Sequence, residues 1–167
     1  MDAQVDENEA MFLAGASIER TVEWADTDAA GHQHNSAIMR WVEAAEAQLF
    51  RRLELPDYFP SAPRVQQVIN YRAKLWFGQR VTATLQVQNI GRTSMTFAFE
   101  VHGQPHEKSP GGLAAFGTFT TAHVPHGANN AEPWPAHIRA AIATPRPSLS
   151  EPQPAPPIST DCFQMLP

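Results

Sequence analysis

From Ser17 to Trp24 the chain alternates, with Ile18, Val22 and Trp24 on one face and Glu19 and Glu23 on the other, the period of a strand. The period then changes. Ile38, Val42, Ala45, Leu49 and Leu53 recur at helical spacing while Arg40, Glu43 and Gln48 fall elsewhere, which predicts a helix opened by Asn35 or Ser36 and running to about Leu53. Pro56, Pro60 and Pro63 break the chain into an irregular connection. From Val65 to Val124 only strand patterns follow. Val65–Trp76 alternates Ile69, Tyr71, Ala73 and Leu75 against Arg72 and Lys74, and a turn at Phe77-Gly78-Gln79 leads into Arg80–Ile90. Gly91-Arg92 turns the chain into Thr93–His102, where Met95, Phe97, Phe99 and Val101 share a face; after a loop over 103–112, Leu113–Val124 closes the set. Trp134–Ala143 has the pattern of a short helix, with Trp134, Ile138, Ala141 and Ile142 on one side. One strand, one long helix and four strands is the order of an α+β domain whose helix packs on an antiparallel sheet.

Composition sets the edges of that domain. Residues 1–16 carry Asp2, Asp6, Glu7 and Glu9 with no base and read as a flexible acidic arm. The domain runs over 17–143, long enough for one sizeable core. Ten of the fifteen prolines lie from Pro125 onward, and 144–167 is a Pro, Ser and Ala tail with little to bury, expected to be disordered. The net charge of −5 is uneven: residues 17–124 hold ten acids and ten bases, so the domain is neutral. No basic face marks a nucleic-acid partner. No apolar run reaches the length of a membrane span, and Met11–Ala16 is too short and too close to acids for a signal peptide. The single cysteine, Cys162, can form no internal disulfide. A cytoplasmic protein with no membrane partner is the expectation.

The candidate chemistry collects in the loop over 25–34, between the first strand and the helix. The unpaired N–H groups of a helix's first turn, together with its dipole, can hold a developing negative charge. Asp28, seven residues before Asn35, is a carboxylate able to face that point as base or nucleophile. Taken alone it could equally be a turn former, which is the better reading of Asp26. Gly31 supplies a sharp bend. His32 and His34 have the spacing of a metal pair, but no further Cys or His cluster completes a site.

Asp28-Ala29-Ala30-Gly31-His32-Gln33-His34-Asn35, running into Ser36-Ala37-Ile38-Met39-Arg40-Trp41-Val42-Glu43, resembles the signature of hotdog-fold thioesterases of the 4-hydroxybenzoyl-CoA type. The likeness continues through Ile69-Asn70-Tyr71-Arg72-Ala73-Lys74-Leu75, Phe77-Gly78 and Ile90-Gly91-Arg92-Thr93-Ser94, and spans 17–143. It implies a hotdog fold, one long central helix on a five-stranded antiparallel sheet. It implies Asp28 as catalytic carboxylate and the backbone N–H of Asn35 as oxyanion donor. Gly31 then brings the turn close to the thioester, and His32 acts as a hydrogen-bonder within it. Arg92 and Ser94 would contact the coenzyme A portion of the substrate, although relatives often carry more than one basic residue there. His34 departs from the pattern. The resemblance implies no metal and no cofactor, and a homodimer or homotetramer with the site at the subunit boundary.

The expected activity is therefore hydrolysis of an acyl-CoA thioester. Another branch of these enzymes takes its carboxylate from the central helix, which makes Glu43 and Glu46 the alternatives to Asp28. A hotdog dehydratase and a non-catalytic acyl-CoA binder are the rival functions. Trp24, Trp76, Phe77 and the Met95/Phe97/Phe99 face are either an acyl pocket or core.

Overall fold

Strand alternation and helical spacing foretell the order of elements. In the computed structural model, which describes residues 13–144, they are β1 (Gly15–Thr21), α1 (Asn35–Arg52), β2 (Arg64–Tyr71), β3 (Arg80–Ile90), β4 (Ser94–Gly103), β5 (Gly112–Ala122) and α2 (Ala136–Ala143). All but the edges of the expected arm (1–16) and tail (144–167) lies outside the described residues. At the first of those edges the domain starts earlier than 17, because Gly15 and Ala16 already pair with β3 and Ala14 is buried.

The sheet is antiparallel throughout, in the order β1-β3-β4-β5-β2. Its inner face is the alternating set Val81, Ala83, Leu85 and Val87 on β3 with Met95, Phe97, Phe99 and Val101 on β4, all buried. The Met95/Phe97/Phe99 face is thus core. Onto it α1 lays Ile38, Val42, Ala45 and Leu49, none more than 2% exposed. Each fully buried large side chain contributes about 1.5–3 kcal/mol, so this stripe is the main attachment of helix to sheet, and a charge at Val42 would undo it. Phe50 on α1 stacks on Tyr58, and Tyr58 stacks on Trp134. This aromatic column joins the end of α1 to the segment leading into α2, which buries Ile138 and Ile142. The opposite face of the sheet carries half-buried Thr82, Thr96, Thr118 and Thr120. Among the described residues no helix is long and apolar enough to cross a membrane.

Two boundaries differ from the pattern. The first strand stops at Thr21; Trp24 opens a short 3-10 turn over Trp24–Asp26 and is 81% exposed. The strand expected over Val65–Trp76 stops at Tyr71, because Arg72 N–H and Ala73 N–H both donate to Ala114 O (2.8 and 3.2 Å) and the ladder loses register. Leu75 and Trp76 then leave the sheet to pair with the loop before α1. β2 is an edge strand, and Val65, Val68 and Tyr71 stand exposed along it.

Candidate active site

The loop between β1 and α1 is held from both ends. Val22 exchanges backbone hydrogen bonds with the 78–79 turn (Val22 N to Gln79 O 2.9 Å, Gly78 N to Val22 O 2.9 Å). Asp26 is buried and fully engaged. Its carboxylate accepts from Glu23 N (2.9 Å) and from Arg40 Nη2 on α1 (2.6 Å), while its carbonyl accepts from His34 N (2.6 Å). Asp26 is therefore the clasp that fastens the loop to the helix.

Beyond Asp26 the chain makes a narrow hairpin. Thr27 bridges Gln33, Asp28 N donates to His32 O (3.0 Å), and Gly31 N donates to Asp28 O (3.0 Å). Gly31 has φ +81°, the left-handed region that only glycine adopts at little cost, and a Cβ there would meet nothing within 4 Å; the requirement is dihedral, not spatial. Asp28 sits at the hairpin corner, exposed. One carboxylate oxygen accepts from Ala30 N (2.8 Å), and the other meets no protein donor among the described residues. Gln33 fixes the hairpin to the segment after β2: its N–H donates to Leu75 O (2.8 Å) and its Oε1 accepts from Leu75 N (2.6 Å). His32 packs its ring edge-on against Trp76, and its Nδ1 lies 3.3 Å from Gln33 O.

The helix mouth corrects one expectation. Neither Asn35 nor Ser36 caps α1; the cap is His34, whose Nδ1 accepts from Ser36 N (3.1 Å). Asn35 is the first helical residue. Its N–H meets no acceptor among the described residues, and its carbonyl accepts from Tyr71 Oη (2.9 Å) at the end of β2. Asp28, His32, His34, Asn35, Tyr71 and Arg72 line an open cleft of ≈ 430 Å³, with Gln33, Ala73 and Lys74 completing the wall. Gly31 shapes this wall without lining it.

Arg92 and Ser94 lie elsewhere. They follow Ile90 at the far end of β3, whose other end, Arg80, pairs with Thr21 beside the loop. Within one chain they stand a full strand length from Asp28. The helix carboxylates are both occupied. Glu46 accepts from Tyr58 Oη and Arg64 Nη2 (2.8 Å each), and Arg64 Nη1 reaches Glu43 (3.2 Å). Burial pushes the Glu46 carboxyl above its usual range, partly offset by the Tyr58 hydrogen bond and the Arg64 charge. Among the described residues no group of three His, Cys, Asp or Glu is close enough to hold a metal ion.

Tyr71, Arg72 and Lys74 escaped the sequence reading as site residues because alternation placed them in a strand. Only their position at the end of β2 and just beyond it, where the chain leaves the sheet, reveals them. Gln33 had one signal, a polar residue between two histidines in the site loop.

The family model of the thioesterase-like superfamily matches residues 22–142. A predicted thioesterase from Bacillus stearothermophilus is 26% identical with a TM-score of 0.67, the alignment covering 77% of this chain and 94% of the other. Two others share the fold. A 1,4-dihydroxy-2-naphthoyl-CoA thioesterase from Synechocystis is 19% identical, covering 83% and 99% of the two chains with a TM-score of 0.68. The 4-hydroxybenzoyl-CoA thioesterase of Pseudomonas sp. strain CBS-3 is 17% identical, covering 75% and 98% with a TM-score of 0.67. No curated protein matches the chain. A hotdog sheet wrapped on one long helix, with a family match over residues 22–142 that takes in the helix and four of the five strands, makes this chain a member of the thioesterase-like superfamily, a thioester hydrolase.

Proposed function

We propose that the cleft hydrolyses acyl-CoA thioesters, with Asp28 as the reacting carboxylate and Asn35 N–H as the donor to the thioester oxygen. The observation that carries this reading is the pairing of a carboxylate oxygen and a helix-mouth N–H, each without a protein partner among the described residues, on one cleft. As a base, Asp28 takes a proton from water while the water oxygen bonds to the thioester carbon. The C–S bond then breaks, its electron pair leaves on sulfur, and the proton passes to the thiolate. As a nucleophile, Asp28 bonds to that carbon itself, expels the thiolate and leaves a mixed anhydride that water opens. Both routes yield a free acid and coenzyme A. In both, charge develops on the carbonyl oxygen, where one preorganised donor is worth about a hundred- to a thousand-fold in rate.

The same reading calls for a second copy. β2 is an edge strand with exposed Val65, Val68 and Tyr71, and an antiparallel copy placed against it would extend the sheet. β2 runs from Arg64, on the Ser94–Ala122 side of the sheet, to Tyr71 at the cleft. A two-fold axis on β2 therefore turns Arg92 of the partner subunit and Ser94 of the partner subunit toward the Asp28 end. That is how residues a strand length apart in one chain serve one coenzyme A, in a homodimer or a pair of dimers.

Thiol release, measured colorimetrically over CoA thioesters with aromatic, short and long acyl groups, tests the proposal. The two solved CoA thioesterases above act on aromatic acyl groups, so aromatic thioesters head the panel. Release from at least one member by a dimer in light scattering is the expected result. Binding with no release from any member would make the protein an acyl-CoA binder, and hydration of an enoyl-CoA without release would make it a hydratase.

A further inference from the structure

We propose that His34 is a second donor to the thioester oxygen, through its Nε2–H, an inference that rests on the thioesterase reading above. Hydrogen bonds at the ring decide which of its nitrogens holds the proton. A backbone N–H can only donate, and Ser36 N donates to His34 Nδ1 (3.1 Å). Nδ1 must therefore present a lone pair, and the proton of the neutral ring sits on Nε2. Ser36 Oγ, 2.8 Å from the same Nδ1, shares that single lone pair with Ser36 N and in turn accepts from Arg40 Nη1 (3.1 Å). Arg40 Nη2 is held by the buried Asp26 carboxylate. The chain Asp26–Arg40–Ser36–His34 thus pins one face of the ring to the first turn of α1 and fixes its tautomer.

The other nitrogen is left for the cleft. His34 is exposed and lines the same cleft as Asn35 and Asp28, and its Nε2 meets no partner among the described residues. A rigid N–H whose orientation is set before substrate arrives is what stabilisation of a developing oxyanion requires. The neutral ring donates a hydrogen bond but no proton, since losing Nε2–H would leave an imidazolate. Proton transfer in the hydrolysis therefore remains with Asp28, and the two adjacent donors, Asn35 N–H and His34 Nε2–H, share the oxygen. His34 in this account has two separable jobs, helix cap through Nδ1 and oxygen donor through Nε2.

His34→Asn separates them. Asparagine is among the strongest N-cap residues, so its side-chain oxygen keeps the Ser36 N–H satisfied while the distal donor is lost. With the best thioester of the panel, kcat is expected to fall about a hundred- to a thousand-fold with KM and Tm little changed. A His34→Asn variant that folds and keeps wild-type kcat overturns the proposal and leaves His34 as a cap only. A second measurement needs no variant and no turnover: ring 15N–1H correlation spectra of the wild-type protein should show His34 as the Nε2–H tautomer, and an Nδ1–H tautomer overturns the proposal. Absence of thiol release by the wild-type protein would instead sink the thioesterase reading itself, so the two failures are distinct.

Discussion

Asp26 carries the loop, and its removal has a calculable cost. In Asp26→Ala two hydrogen bonds to the carboxylate disappear. The bond from Glu23 N (2.9 Å) is charge-assisted and part-buried, contributing about 1.5–3 kcal/mol. The Arg40 pair is short (2.6 Å), but Arg40 is 49% exposed, which discounts it to about 0.2–1 kcal/mol. The sum is about 2–4 kcal/mol, read as a lower urea midpoint at unchanged slope. Asp26→Asn keeps an acceptor for Glu23 N and loses the charge, so it should cost about half as much. A double-mutant cycle with Arg40→Ala isolates the pair and should return no more than about 1 kcal/mol. Because Asp26 does not line the cleft, kcat of Asp26→Asn should stay within about tenfold of wild type, against the hundred- to ten-thousand-fold of a lost general base. An Asp26→Ala protein as stable as wild type, or an Asp26→Asn protein with no activity, would refute this assignment of Asp26 to structure.

The clasp also shows where sequence reasoning stops. Asp26 as a turn former was legible, because a short acid before a helix bonds local backbone; its partner Arg40, fourteen residues on, was not. The stripe Ile38, Val42, Ala45 and Leu49 was legible because a helix on a sheet must bury one face, and the β4 face Met95 to Val101 for the same reason. The end of β2 was hidden: Ile69, Tyr71, Ala73 and Leu75 keep alternating past Tyr71, and only the long-range bonds to Ala114 and Gln33 decide where the strand stops. The cap was hidden too. Asn35 and Ser36 are the stronger capping types, and His34 takes the role because its backbone is pinned to Asp26 O and its ring reaches Ser36 N. Asp28, Gly31, His32 and Asn35 were gathered by their shared loop at the helix mouth, and their roles by the resemblance. Arg92 and Ser94 were linked to them only by resemblance, and one chain holds them apart.

Two further outcomes follow from packing and burial. At Gly117 a Cβ would lie 1.9 Å from Val68 O and 2.9 Å from Phe99 Cζ, so Gly117→Ala must push β2 from β5. Overpacking at about 1–3 kcal/mol plus weakened ladder bonds should lower the denaturation midpoint, and an unchanged midpoint would contradict the β2–β5 register. For Glu46, burial raises the folded carboxyl above its ordinary 4.5, so the folded state holds the proton more tightly than the unfolded chain. Relative to Glu46→Gln, the contribution of Glu46 is fully present below pH 4.5 and is lost as pH rises through the raised value. The wild-type Tm minus that of Glu46→Gln should therefore fall with rising pH, and a difference that grows would show that Arg64 outweighs burial.

The most direct measurement on the site as a whole is kcat of Asp28→Asn, with circular dichroism and light scattering on the same sample. The substitution keeps size and the acceptor for Ala30 N, and removes the charge that takes a proton or attacks carbon. The account predicts an intact fold and assembly with kcat reduced about a hundred- to ten-thousand-fold, while Glu43→Gln and Glu46→Gln cost far less. Near-wild-type kcat in Asp28→Asn, with activity lost in Glu43→Gln or Glu46→Gln, would move the reacting carboxylate onto α1 and contradict it.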